Sequence, residues 1–231
     1  MTAPGHDAID LADVAVEVDG ATILTDVSVR LRERRIGVIG ANGSGKSTFA
    51  RLLNGLVTPT RGVVTVHGVD ASRDRAIRDR VGFVFTNPDA QILMPTPAED
   101  LALSLRGSGE SKAEIAQRVA RELERHGLAA HADQPAYSLS GGQKQLLALV
   151  AVLIRRPAVV VADEPTTLLD LGNARRMADL LIDEIEAQTV IVTHDLDLAA
   201  RCDVVLRFAA GRLAEVGEPG DVIARYRAEF A

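Results

Sequence analysis

Gly40-Ala41-Asn42-Gly43-Ser44-Gly45-Lys46-Ser47 decides how the rest of this chain is read. The octet fits G-x-x-x-x-G-K-[ST], a pattern that carries meaning only between a strand and a helix. Here an apolar strand, Ile36–Ile39, precedes it, and a helix, Ser47–Asn54, follows. The glycines let backbone N–H groups wrap phosphate oxygens, and the helix N-terminus adds its positive dipole end. Lys46 would reach β- and γ-phosphates, and the Ser47 hydroxyl would ligate Mg²⁺. The expected nucleotide-binding set is therefore Gly40, Ala41, Asn42, Gly43, Ser44, Gly45, Lys46, Ser47 and Thr48. An ordinary Gly-rich turn is the alternative, and the strand–loop–helix context outweighs it.

Upstream and just downstream, the chain reads as β-rich, with strands expected at Leu11–Val18, Val27–Leu31, Val63–His67 and Val81–Phe85. From Asn87 to about Leu139 prolines at 88, 95 and 97 punctuate a loop, and helical segments follow. Ser111-Lys-Ala-Glu114 is a capping-box pattern, Ile115, Val119 and Leu123 recur at helical spacing, and Gly127 stands where a C-cap would. Further on, helices and apolar runs alternate: helix Gln143–Arg156 stopped by Pro157, strand Ala158–Ala162, helix Ala174–Ala187, strand Thr189–Thr193. Met177, Leu180, Leu181 and Ile185 line one face of the second helix. Val204–Phe208 and Arg212–Val216 look like a closing hairpin. Such alternation implies right-handed crossovers and a mostly parallel sheet in an α/β fold.

Composition narrows the function classes. The 231 residues are 47% hydrophobic and 25% charged, ordinary for a globular protein and incompatible with disorder. No apolar run approaches the ~18–20 residues of a membrane-spanning helix; the longest, Leu146–Ile154, ends at Arg155. The first residues, MTAPGHDAID, carry acids rather than a basic stretch and an apolar core, so no signal peptide is expected. A single cysteine, Cys202, excludes a disulfide framework and a cysteine-rich zinc site. A cytosolic setting fits best. A net charge of −6, no Trp and 3% aromatic residues argue against a nucleic-acid partner. The arginines at 32, 34 and 35, and at 73, 75, 78 and 80, read as solvated faces. Cys202 and Met177 read as packing residues.

Val159-Val160-Val161-Ala162-Asp163-Glu164 places two carboxylates at a strand end, where ligands bind in open α/β sheets. Beside a phosphate loop, Asp163 suits Mg²⁺ and Glu164 suits orienting or activating the attacking water. Ser138-Leu139-Ser140-Gly141-Gly142-Gln143 heads another helix and offers free N–H groups and a hydroxyl. By capping rules alone it is an ordinary Ser N-cap.

Leu139–Gln143, LSGGQ, lying between the phosphate loop and the Asp-Glu strand end, resembles the signature of the ATP-binding-cassette (ABC) ATPases. The resemblance runs from about Leu11 to Gly217. It implies an α/β P-loop NTPase with an N-terminal antiparallel β subdomain and an inserted helical subdomain. The domain would span 9–231, with a core of about 9–86 and 143–217, helical subdomain about 87–142 and a short C-terminal helix about 218–230. In that family the signature of one subunit closes on ATP held by the P-loop of another. Ser140, Gly141, Gly142 and Gln143 would then act in trans, making a lone monomer inactive. Asp170, in the family's D-loop position, would be an inter-subunit residue. His194, after strand Thr189–Thr193, matches the switch histidine that contacts the γ-phosphate. ATP and Mg²⁺ are the implied ligands.

Two positions depart from the family pattern. Val18 stands near where members carry an aromatic that stacks on adenine. Losing that contact, worth ~1–3 kcal/mol by analogy with base stacking, predicts weak adenine discrimination and poor nucleotide affinity in the monomer. Phe85-Thr86-Asn87-Pro88-Asp89-Ala90-Gln91 resembles the F-Q-N-P-x-x-Q loop of the ATPases of energy-coupling-factor (ECF) importers, with Thr86 replacing the first Gln. The γ-phosphate-sensing and Mg²⁺ role passes to Gln91 in this reading. Ile92–Thr96, apolar for a loop, is either buried or a seat for a membrane partner.

The resemblance therefore implies the ATP-hydrolysing subunit of an ECF-type importer of a vitamin or transition-metal ion. Thr86 and the short C-terminus point to a biotin-type system. Its partners would be a second ABC ATPase subunit, identical or paralogous, and integral membrane subunits, with the chain peripheral on the cytoplasmic face. A soluble, non-transport ABC ATPase, such as an iron–sulfur assembly scaffold ATPase, is the alternative. A DNA-repair ABC ATPase would need a long coiled coil that the stretch from Ser47 to Leu139 lacks.

Overall fold

The computed structural model describes residues 8–230. The reading of the N-terminus as free of a leader therefore falls largely outside the described residues, as does Ala231. In chain order the principal elements are β1 (Ile9–Val18), β2 (Ala21–Leu31), β3 (Arg35–Gly40), α1 (Lys46–Leu53), β4 (Arg61–Val66), β5 (Val69–Asp70), α2 (Ile77–Arg80), β6 (Val81–Val84), α3 (Pro97–Ser104) and α4 (Lys112–Arg125). They continue with α5 (Gly141–Leu153), β7 (Val159–Asp163), α6 (Leu171–Asp179), β8 (Gln188–Val192), α7 (Leu196–Ala199), β9 (Val204–Ala209), β10 (Arg212–Gly217) and α8 (Pro219–Ala228).

The early strands form an antiparallel sheet in the order β2–β1–β4–β5. Asp13 (φ 49°) and Asp26 (φ 50°) adopt left-handed backbone conformations beside register shifts between β1 and β2. Short polar side chains tolerate that conformation, and such bulges bend a strand and strengthen its twist. The second sheet runs β10–β9–β3–β8–β7–β6; its five strands from β9 to β6 are parallel and β10 is an antiparallel edge. Every residue of β3, β7 and β8 is buried, as expected where both faces of a parallel sheet are covered.

Period-two geometry divides that sheet between two cores. Val159, Val161, Val190 and Val192 pack with Phe49 and Leu52 of α1 and with the antiparallel sheet. Val160, Ala162 and Ile191 pack with Leu147 and Leu149 of α5 and with Leu101, Val119 and Leu123 of the helical insertion. The expected capping box forms: Ser111 Oγ accepts from Glu114 N (3.3 Å), and Glu114 Oε2 accepts from Ser111 N (2.8 Å). Gly127 (φ 72°) follows the C-cap of α4.

Two expectations fail in this region. The helix expected over Ala174–Ala187 is α6 followed by a π-turn at Leu180–Glu184. Arg35, expected in solvent, is only 4% exposed. Its guanidinium donates to Ile182 O (2.7 Å), Ala187 O (2.9 Å) and Ile185 O, while Arg34 Nη2 donates to Ile185 O (2.7 Å). Carbonyls freed where the helix widens and ends thus find donors from the start of β3, which sequence spacing alone does not reveal. Burial lowers the Arg35 pKa, and Asp203 acts in the opposite direction. The arginines at 73, 75, 78 and 80 are exposed, as read.

Candidate active site

The phosphate loop joins β3 to α1. Gly45, the N-cap of α1, has φ 103°, and Gly40 has φ 142°. A Cβ at 40 would stand 2.2 Å from Phe208 O, and one at 45 would stand 2.5 Å from Leu24 Cδ2. Both conformation and space therefore demand glycine. Lys46 is buried, and its Nζ donates to Gly40 O (2.7 Å) and Ala41 O (2.9 Å), bracing the loop. Burial lowers its pKa, against the raising influence of Glu164 and Asp163. Ser44 Oγ is buried with no hydrogen-bond partner among the described residues. Such an orphan costs about 1–3 kcal/mol, and a phosphate oxygen would satisfy it. Ala41, Asn42 and Gly43 are exposed and Ser47 and Thr48 half-buried, leaving the loop open to a ligand.

The sheet brings the other groups to the same end. In the strand order β3–β8–β7, the chain after β8 leads through Thr193 to His194, and β7 ends at Asp163. Asp163 Oδ1 accepts from Ser47 Oγ at 3.0 Å. Burial raises the Asp163 pKa, while the Ser47 hydrogen bond and Arg51 lower it. A hydroxyl and a carboxylate are hard oxygen donors that fit Mg²⁺, which takes one or two carboxylates and completes its shell with phosphate and water. Among the described residues no group of three or more His, Cys, Asp or Glu forms an all-protein metal cage.

Glu164 turns away from the strand in a left-handed conformation (φ 54°), its N–H donating to Val192 O at 2.9 Å. Its Oε2 meets His194 Nδ1 at 2.7 Å and accepts from Thr167 Oγ1 at 2.9 Å. With the carboxylate accepting, Nδ1 carries the imidazole proton. A non-glycine residue held at positive φ costs about 1–3 kcal/mol and is characteristic of functional sites. Thr167, three residues after Glu164, was not singled out from sequence.

The loop after β6 differs from expectation. Gln91 Oε1 accepts from Phe85 N (3.1 Å), and its Nε2 donates to Ala148 O (3.1 Å). Both ends of that amide are used on backbone partners, not on Ser47 or Asp163. Thr86 is the residue of this loop that reaches the strand end, its Oγ1 donating to Asp163 O at 2.8 Å. Gln145, also unmarked in the sequence, is buried in α5 and donates to Phe85 O (3.1 Å). Asn87 Oδ1 caps the short turn Pro88–Ala90 by accepting from Asp89 N.

Ser140 caps α5 through a second capping box: its Oγ accepts from Gln143 N (3.3 Å), and Gln143 Oε1 accepts from Ser140 N (2.8 Å). The Gln143 amide then donates to His131 Nε2 at 2.8 Å. Ser140 and Gly141 are exposed. Among the described residues no hydrogen bond joins 139–143 to the phosphate loop. Asp170 is the N-cap of α6, accepting from Asn173 N and Nδ2, and those bonds lower its pKa. Val18 lies half exposed at the end of β1. Cys202 is buried, and burial pushes its thiol up to about 12, as suits a packing residue.

The ABC transporter family matches residues 24–167. A putative ABC transporter ATP-binding protein of Deinococcus radiodurans is 49% identical over 220 residues, covering 95% of this chain and 97% of that protein. The biotin transport ATP-binding protein BioM of Rhizobium etli is 42% identical, covering 95% and 97%. The energy-coupling factor transporter ATP-binding protein EcfA1 of Symbiobacterium thermophilum is also 42% identical, covering 95% and 77%. Among solved structures, cbiO1 from Clostridium perfringens, part of the ABC transporter complex cbiONQ, superposes with a TM-score of 0.84 at 29% identity, covering 95% and 92%. Identity at this level extends over nearly the whole chain and so reaches beyond the fold: the chain belongs to the ABC transporter family and is one of its ATP-hydrolysing subunits.

Proposed function

We propose that this chain couples ATP hydrolysis to an ECF-type importer whose cargo is biotin. The convergence of Ser47, Asp163, Glu164 and His194 on the open end of the parallel sheet carries the catalytic part of this reading. The ECF assignment draws on the Asn87-Pro88-Asp89-Ala90-Gln91 loop, and the cargo assignment on Thr86 and on the 42% identity to a biotin transport ATP-binding protein.

In this mechanism the glycines from 40 to 45 present N–H groups to the β- and γ-phosphates, and Lys46 moves part of its donor capacity from Gly40 O and Ala41 O to phosphate. Ser47 and Asp163 hold Mg²⁺, which when bound neutralises charge on the phosphate oxygens. Glu164 orients the attacking water and takes its proton. His194, tied to Glu164 through Nδ1, lies beside the γ-phosphate. A second subunit, identical or paralogous, closes Ser140, Gly141, Gly142 and Gln143 over the same nucleotide, with Asp170 nearby. Hydrolysis removes the γ-phosphate that both subunits grip, so the dimer opens and moves its membrane partner.

The partner would sit on the groove between the sheet core and the helical insertion, where Leu56, Phe85, Leu93, Leu103 and Val152 are interleaved with Arg78, Asp79 and Arg155. Leu93 and Leu56 are exposed there. No helix among the described residues is long and apolar enough to cross a membrane. This reading places the chain as a peripheral subunit on the cytoplasmic face.

Purifying the native complex from membranes tests the assignment. Integral membrane subunits and ATP-dependent biotin uptake on reconstitution are expected. Recovery with soluble partners alone would overturn the transport role, and uptake of a different cargo would overturn biotin.

A further inference from the structure

The seven aromatic residues of this chain divide unevenly. Six form three ring pairs: Phe49–Phe208, Phe83–Phe85 and Tyr226–Phe230. The seventh, Tyr137, pairs with none and is 82% exposed. No aromatic stands in β1, β2 or their turn, and Val18 is itself 50% exposed. An ATP site on this chain thus has no ring beside its β1–β2 hairpin to receive the purine.

Tyr137 is held in place by its backbone. It occupies a 3-10 turn, Ala136–Ser138, directly before the α5 cap. Ala136 N donates to Pro95 O (2.7 Å), and Ser138 donates to Pro135 O through both N (2.9 Å) and Oγ (2.7 Å). Ala136 and Leu139 are buried on either side. The turn is pinned and the phenol is left in solvent, which loses apolar burial that other positions would give it. Three residues separate Tyr137 from Ser140, at most about 10 Å of chain. That is the scale on which a nucleotide extends from its terminal phosphate toward its base.

We propose that Tyr137 stacks on the adenine of ATP held by the phosphate loop of a second copy of this chain, supplying in trans the aromatic surface absent at Val18. The inference rests on the reading in which 139–143 closes across a dimer. It makes base recognition a property of the closed dimer and not of the monomer. Tyr226 and Phe230 are the competing rings, since they line a cavity against Ala41–Ser44 of their own chain.

The test uses the Glu164→Gln protein, titrated with Mg-ATP and followed by sedimentation, alone and combined with Tyr137→Ala, Tyr137→Phe or Phe230→Ala. Tyr137→Ala is expected to raise the ATP concentration for half-dimerisation about ten-fold or more, the scale of one base–aromatic stack. Tyr137→Phe keeps the ring and should match the parent. ATP affinity measured at protein concentrations too low for dimers should not change with Tyr137→Ala, which a merely structural role would not spare. An ATP-driven dimer with the same requirement in Tyr137→Ala overturns the stacking role alone. A raised ATP requirement that follows Phe230→Ala instead of Tyr137→Ala does the same. Absence of any ATP-driven dimer in the Glu164→Gln parent overturns the stacking role between copies of this chain, together with the identical-subunit form of the trans-closure reading beneath it.

Discussion

Asn173 lies across Gly142 so closely that a Cβ at 142 would stand 2.4 Å from Asn173 Cγ. Asn173 is held in turn by Asp170, which accepts from its N at 2.9 Å and its Nδ2 at 2.6 Å. The first turn of α5 and the cap of α6 are therefore joined through one side chain. Gly142→Ala must displace Asn173 from Asp170 or push α5 away from α6. A stability loss of about 1–3 kcal/mol is expected, the usual range for overpacking. Adding Asn173→Ala should recover most of it, as read by denaturant midpoints. An additive double mutant would show that the two residues are not coupled.

Glu164→Gln tests the water-activating role. It should preserve ATP binding, lower hydrolysis by about 10²–10⁴-fold as general-base loss does, and leave an ATP-bound dimer. His194 contacts the same carboxylate at 2.7 Å, so His194→Ala should also slow turnover while leaving the fold intact. Lys46→Ala should abolish ATP binding, because its amine is the loop's one buried cation. Normal turnover in Glu164→Gln refutes the assignment.

Gln91 and Thr86 separate a structural tie from a site contact. Gln91→Ala leaves Phe85 N and Ala148 O without their side-chain partner. A cost of about 1–3 kcal/mol in stability is expected, the penalty for an orphaned buried group. Thr86→Val removes the bond to Asp163 O with little change in shape, so it should reduce hydrolysis more than stability. Reversal of that pattern, with Gln91→Ala stable but inactive, would return the γ-phosphate role to Gln91.

His126, buried at the C-cap of α4, gives stability a pH dependence. Burial lowers its pKa from 6.5, Arg125 and Arg176 lower it further, and Glu122 works against them. The folded value lies below the unfolded one, so the unfolded chain binds more protons as pH drops. This contribution is complete above 6.5 and is lost as pH falls from there through the lower folded value. Melting temperatures between about pH 8 and pH 5.5 should therefore fall less in His126→Gln than in the parent. Equal slopes would show that His126 is not the titrating group.

Much of the site was legible because its parts are local. The octet 40–47 needs only a strand before it and a helix after it, and the capping boxes at Ser111 and Ser140 close within three residues. The backbone tie of Gln91 is not legible in the sequence, because an amide's partners depend on where Phe85 N and Ala148 O lie, and Ala148 is 57 residues further along the chain than Gln91. Arg35 was misread because charge near other charges suggests solvent, whereas here a distant π-turn supplies carbonyls.

The phosphate loop, the Asp163–Glu164 strand end, the Ser140 cap and the α/β class are legible in the linear chain, since each follows from backbone conformation and periodicity over a few residues. The meeting of Ser47 with Asp163, of Glu164 with His194 and of Asn173 with Gly142 emerges only from the folded arrangement. Those pairs depend on strand order and helix packing. Parallel pairing of β3, β8 and β7 sets them at one end of the sheet, and no local pattern encodes which buried strand lies beside which.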